Sequence, residues 1–136
     1  MKFDYFYEEQ SECYSFYRIP KLLFTEEMFE QLSTEAKVLY GLLLDRICLS
    51  REHGWIDDSG HVYVFYTIEA VKKALRCGNT KGCRLLKELD AFGLIERHKQ
   101  GLCKPTIIYV KDFTRLKNTF CKSVLMYFEY AMLKLS

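Results

Sequence analysis

Residues 85–110, LLKELDAFGLIERHKQGLCKPTIIYV, constrain the fold more than any other stretch of the chain. At about 100° per residue, Leu85, Leu86, Leu89 and Phe92 fall within an arc of about 120°, the width of one buried helix face. Thr80, Lys81, Arg84, Lys87 and Glu88 occupy a separate arc of similar width, so one face is apolar and the other largely cationic. Gly93 stops that helix. Two strands are expected next, over 94–99 and 106–110, around a loop that contains Gly101 and Pro105. Helix, glycine stop, strand, basic loop and strand is the order of a recognition helix followed by a β wing.

The segments upstream supply the rest of that architecture. Thr67 is placed to cap a helix whose apolar positions Ile68, Val71 and Leu75 recur at helical spacing, with Gly78 expected as its C′ residue. Asn79 or Thr80 then opens the next helix, and two helices joined this tightly form a helix-turn-helix. Further upstream, Ser33 reads as an N-cap with Glu35 in the first turn, where the helix dipole favours an anion. Leu39, Tyr40, Leu43 and Ile47 share a face of that helix while Val38, Leu42 and Leu44 spread around it, which predicts a central, buried helix.

Asp57-Asp58-Ser59-Gly60 predicts a turn before an alternating strand in which Val62, Val64 and Tyr66 share a side. The spacing lacks the alternating ligands and closing Glu of a calcium-binding loop. A short strand is expected at 14–18, ahead of Pro20. Near the end of the chain, Phe120, Val124, Tyr127, Phe128, Ala131 and Leu135 would line one side of a helix that is too polar, with Lys122, Glu129 and Lys134, to span a membrane. The expected class is therefore α+β: a winged helix-turn-helix with a short N-terminal strand, a β wing and a C-terminal helix. An N-terminal extension over 1–13, a winged-helix domain over 14–112 and a C-terminal helix over 113–136, suited to dimerisation, are the expected divisions.

Charge distribution says more about function than total charge. Lys72 to Lys104 carry nine cations against three anions, a local +6, while the rest of the chain sums to −4 and the whole to only +2. One surface built for polyanions on a mildly acidic body fits that split. The six cysteines lie at irregular spacings, with no C-x-x-C pair, which points to reduced thiols rather than zinc ligands. There is no signal-peptide-like apolar run at the N-terminus, and a cytoplasmic location without membrane association is expected. His53, His61 and His98 are scattered, and no nucleophile, phosphate-binding glycine loop or two-metal acidic cluster stands out, so neither catalysis nor a cofactor or metal is expected.

The candidate DNA contacts follow from the two faces. Asn79, Thr80, Lys81 and Arg84 on the recognition helix are within reach of base edges in a major groove, and Lys87 suits a phosphate. Thr67, Lys72 and Lys73 are the candidates on the helix before it. Arg97, Lys99, Gln100 and Lys104 on the wing suit the minor groove or flanking phosphates. A solvated helix face and a polar hairpin could carry the same residues; the repetition of one sign on both elements favours DNA.

An ordered series of phrases adds a resemblance: IPKLLF, LSTEAKVLYGLLLDRICLS, WIDDSGHVYVFYT, LKELDAFGLIER and KPTIIYV. Over roughly 16–112 the chain resembles the N-terminal domain of the plasmid replication initiators of low-GC Gram-positive bacteria, the family named after the RepA initiators. The resemblance implies a winged helix that binds repeated duplex sites in a plasmid or mobile-element replication origin, commonly as a homodimer, with replication or helicase-loading proteins as partners. It places the recognition helix at 79–92 and the wing at 95–109. A winged-helix transcriptional regulator, or a winged helix used for protein contact, are the alternative functions.

Overall fold

The computed structural model describes residues 1–7 and 14–114. The expected C-terminal helix and its apolar stripe lie outside those residues, as does part of the N-terminal extension.

Among the described residues the chain runs through a short helix α1 (Leu22–Thr25), a 3-10 turn (Glu27–Phe29), and the long helix α2 (Thr34–His53). Ser33 caps α2 as its sequence implies, its Oγ accepting a hydrogen bond from the Ala36 N–H at 3.2 Å. Ala36, Leu39, Tyr40, Leu42 and Leu43 are buried on several sides of α2, which makes it the central helix. Strand β1 (Val64–Phe65), helix α3 (Ile68–Leu75), helix α4 (Asn79–Phe92), strand β2 (Ile95–His98) and strand β3 (Ile107–Val110) follow. The three strands form an antiparallel sheet in the order β1-β3-β2, with Val64 opposite Ile108 and Ile95 opposite Val110.

Tyr40, Leu43, Val64, Val71, Leu85, Leu89, Ile95 and Ile108 meet in one core between α2, the α3–α4 pair and the inner face of the sheet. Each fully buried leucine contributes about 1.5–3 kcal/mol relative to solvent exposure. Phe113, just past β3, returns to this core against the rings of Phe29 and Tyr40. The Tyr40 hydroxyl donates to the Lys111 carbonyl at 2.6 Å, and burial raises its phenol pKa above the ordinary value.

Two expectations need correction. Residues 14–18 form no strand: their side chains are exposed and no strand among the described residues pairs with them. Alternation gives such a segment strand propensity, but a strand needs a ladder partner. The chain instead crosses α2 at Gly41, where an added Cβ would stand 2.7 Å from Ile19 Cγ1 and 3.3 Å from the Arg18 carbonyl.

Nor is Gly78 the residue that turns the chain out of α3. That residue is Arg76, left-handed at φ 50°, while Gly78 is extended and serves as the N-cap of α4. Cys77 N–H bonds back to the Lys72 carbonyl, the same closing bond that Leu94 N–H makes to Leu89 after Gly93. The turn between the two helices has three residues, and the one directly after Leu75 takes the left-handed position.

Candidate nucleic-acid interface

The helix-turn-helix is α3, residues 76–78 and α4. Thr67 caps α3 through its Oγ1, which accepts from the Ala70 N–H at 3.1 Å, so this hydroxyl is engaged with the backbone. Gly82 faces α3, where a Cβ would meet Val71, Lys72 and Ile68 at 3.5–3.8 Å, ordinary contact distances.

On α4 the buried residues are Gly82, Leu85, Leu86 and Leu89. At about 100° per residue the opposite side carries Thr80, Arg84, Lys87 and Ala91, all exposed. The expected division of faces is what the fold shows, although Phe92 is partly exposed while its ring packs on Phe29 at 5.6 Å. Arg84, Lys87 and Ala91 line an open hollow of about 500 Å³ together with Ser33 and Glu88. Asn79 is exposed at the start of the helix, whose N-cap Gly78 supplies no side-chain hydrogen bond and whose first turn has no carboxylate. That leaves the positive end of the α4 dipole free of an anion from its own helix.

The candidate cations are not equally free. Lys81 Nζ lies 2.6 Å from Glu35 Oε2 on α2, with both side chains nearly half exposed. Lys72 pairs with Glu69 one turn earlier at 3.3 Å. Arg97 is drawn off the wing onto α4, its Nε 2.9 Å from Asp90 Oδ2. Arg84, Lys87, Lys73, Lys99 and Lys104 are exposed and take no part in the ion pairs among the described residues. Lys99, Gln100 and Lys104 sit in the loop between β2 and β3, which turns through Gly101 at φ 124° and Cys103 at φ 65°. The loop tip is also apolar, with Leu102 96% exposed.

Glu88, grouped with the polar face of α4 in sequence, does a different job. Its Oε1 accepts from the Ser33 N–H at 2.8 Å and its Oε2 from the Ser33 hydroxyl at 2.7 Å. The carboxylates Glu35, Glu88 and Asp90 escape a count of charge along the chain because their partners lie on other elements. A sequence signal exists only for Glu88: Ser33 is followed three residues later by Ala36, where a self-contained capping box would have Glu or Gln.

The base of the wing is held by a second polar group. Glu96 bridges Lys111 and His98, each at 2.8 Å, and these hydrogen bonds, Lys111 first, hold its carboxyl below the ordinary carboxylate range. Across the outer sheet face, Asp57 accepts from the backbone N–H groups of His61 and Ser59 and from the Tyr109 hydroxyl. The His61 bond is the largest cause of its lowered pKa, and the same carboxylate raises that of Tyr109. Among the described residues no group of three or more His, Cys, Asp or Glu side chains is placed to hold a metal, and no helix is long and apolar enough to cross a membrane.

Comparison with known proteins agrees with this geometry. The sequence pattern of the family described as "Replication initiator protein A (RepA) N-terminus" matches residues 15–123. A curated "41 kDa protein" of Lactobacillus helveticus is 35% identical over 86 residues, which are 63% of this chain and 24% of that protein. The chain thus spans a minor part of that relative's length. A solved structure described as "Structure of Rep-DNA complex" is 30% identical with a TM-score of 0.69, covering 93% of this chain and 95% of the other. Another, "N-Terminal domain of DNA binding protein", is 31% identical with a TM-score of 0.68, over 89% and 92% of the two chains.

Proposed function

Because the chain belongs to the family of the replication initiator protein A (RepA) N-terminus, we propose that it binds double-stranded DNA sequence-specifically, at repeats in a plasmid or mobile-element replication origin. Its role is that of a replication initiator or of an initiator's DNA-binding domain. The observation that carries the reading is the outer face of α4: Arg84 and Lys87 stand exposed on the second helix of a tight pair, directly behind the buried Leu85 and Leu89. In a helix-turn-helix the second helix enters the major groove with its first turns against base edges. Asn79, Thr80 and Lys81 occupy the first turn of α4 and Arg84 the second.

Arg84 is the candidate for guanine O6 and N7, which a guanidinium contacts in bidentate fashion. Lys87 and Lys73 supply phosphate contacts, and Lys99, Gln100 and Lys104 reach an adjacent groove or its phosphates from the wing. Arg97 and Lys72 act less directly, since each already holds a carboxylate.

The work is done by binding rather than catalysis: several domains on neighbouring repeats would strain the origin and present a surface to helicase-loading factors. A homodimer is part of the proposal, supported by the exposed aromatic side chains of Phe3, Tyr5, Phe6, Tyr14, Phe16 and Tyr17 near the N-terminus.

The deciding experiment is a footprint of the chain on the DNA around its own coding sequence, followed by titration of the protected repeat and a scrambled duplex. Protection of a repeat array is the expected result. A folded chain that binds neither duplex at low salt would overturn the reading in favour of protein contact.

A further inference from the structure

Lys81 and Glu35 form a contact that DNA binding as described above does not require. Lys81 stands in the first turn of α4, the part of a recognition helix that meets base edges. Glu35 stands in the first turn of α2, and its carboxylate is 2.6 Å from the Lys81 ammonium. The two turns cannot drift apart easily, because Glu88 of α4 is bonded twice to Ser33 at the start of α2. Arg84 and Lys87, one and two turns further along α4, have no such partner among the ion pairs of the described residues.

We propose that Glu35 is a specificity-determining residue of the DNA interface: by holding the Lys81 ammonium it keeps that cation from acting as a general phosphate contact and reserves it for a base edge. The inference rests on the DNA-binding reading. Lysine is a compact, strongly hydrated charge on a flexible stem and will follow any nearby phosphate unless something anchors it. With both side chains nearly half exposed, the pair is weak, worth about 1.4- to 5-fold. It biases Lys81 without locking it. A random phosphate must compete with Glu35 for the ammonium, whereas a correctly placed guanine offers O6 and N7 acceptors in a fixed position that offset the loss. The cost therefore falls mainly on unspecific binding.

The test is a double-mutant cycle on the chain itself, with Glu35→Gln, Lys81→Met and the two combined. The probes are the duplex that the unaltered chain enriches from a random library and a scrambled duplex of the same composition, each titrated at several salt concentrations. Melting curves of the four proteins establish that each is folded. Glu35→Gln is expected to tighten binding to the scrambled duplex by about 1.4- to 5-fold, to tighten binding to the selected duplex less, and so to narrow their ratio. The log-log salt slope on the scrambled duplex should steepen by about 0.9, one added phosphate contact. With Lys81→Met already in place, Glu35→Gln should no longer alter the ratio. If Glu35→Gln acts equally with and without Lys81, or tightens both duplexes alike, Glu35 merely repels DNA and the proposal is overturned. An unaltered chain that enriches no duplex and binds none at low salt overturns the DNA-binding reading, and this inference with it.

Discussion

Glu88 of α4 and Ser33 ahead of α2 complete in space a capping box that the sequence leaves open. In the local form of the motif, a Glu or Gln three residues after the N-cap reaches back to the N-cap N–H. Ala36 occupies that position and is fully buried, so no carboxylate fits there. The acid comes instead from 55 residues away. Glu88 thereby satisfies an orphan donor of α2, rests at the positive end of its dipole and fixes where the cationic face of α4 points.

Removing that carboxylate should destabilise the fold as well as shift the helix. Glu88→Ala is expected to cost about 1.5–3 kcal/mol, the range for hydrogen bonds to a charged group. Ser33→Ala is expected to cost about 0.5–2 kcal/mol, and the pair less than the sum because they share the bonds. Urea melts of the two single variants and the double variant measure this; strictly additive losses would show that the contact carries no energy.

Gly41 and Gly82 both lie inside helices, where propensity alone gives alanine an advantage of about 0.8–1.0 kcal/mol. Packing should split them. Gly82→Ala places its methyl at ordinary contact distances and is expected to raise stability by up to about 1 kcal/mol. Gly41→Ala drives a methyl to 2.7 Å from Ile19 and is expected to lower stability by about 1–3 kcal/mol. A Gly41→Ala protein that melts no lower than the unaltered chain would contradict the placement of residues 18–19 across α2.

Leu89 and Arg84 separate fold from function. Leu89→Ala should cost about 2–5 kcal/mol of stability, because the side chain is fully buried. Arg84→Ala should leave the melting temperature nearly unchanged while weakening binding to the preferred duplex by about 1–3 kcal/mol and narrowing its margin over random DNA. Lys87→Ala should weaken all duplexes alike and flatten the salt slope by about one unit. An Arg84→Ala protein that unfolds would reverse the assignment of faces.

Asp57 and Glu96 both have folded-state carboxyl pKa values below the ordinary range. A carboxyl depressed by folding contributes stability that is fully present above its unfolded pKa, about 3.9 for Asp and 4.3 for Glu. That contribution is lost as pH falls through the lower folded value. The contribution of these two groups to the melting temperature should therefore hold its level down to about pH 5 and decline below about pH 4. Asp57→Asn combined with Glu96→Gln should make the acid fall shallower; an unchanged acid limb in calorimetry would count against these two groups.

What the sequence made legible was local. The caps at Ser33 and Thr67, the buried leucines of α4, the Gly93 stop and the β2–β3 hairpin each depend on residues within a turn or two of one another, and each appears where spacing placed it. The strand expected at 14–18 failed because a ladder needs a second strand that alternation does not specify. The left-handed role passed from Gly78 to Arg76 because α3 ends at Leu75, and the residue directly after it closes the helix. The three carboxylate contacts around the outer side of α4, Glu88 with Ser33, Glu35 with Lys81 and Asp90 with Arg97, join different elements. Counting charges along the chain found the right neighbourhood and missed which cations are already engaged.

Residues 99–105 of the wing are all exposed, while the strands that carry them are anchored by Ile95 and Ile108 in the core. A hairpin arranged in this way separates inheritance of the scaffold from inheritance of the tip. Apart from Gly101, whose φ of 124° suits glycine, residues can be exchanged or inserted between the strands at little cost to folding, since lengthening a surface loop adds only a slowly growing closure entropy. A lineage can thus retune the other tip positions while Ile95 and Ile108 keep the scaffold in place.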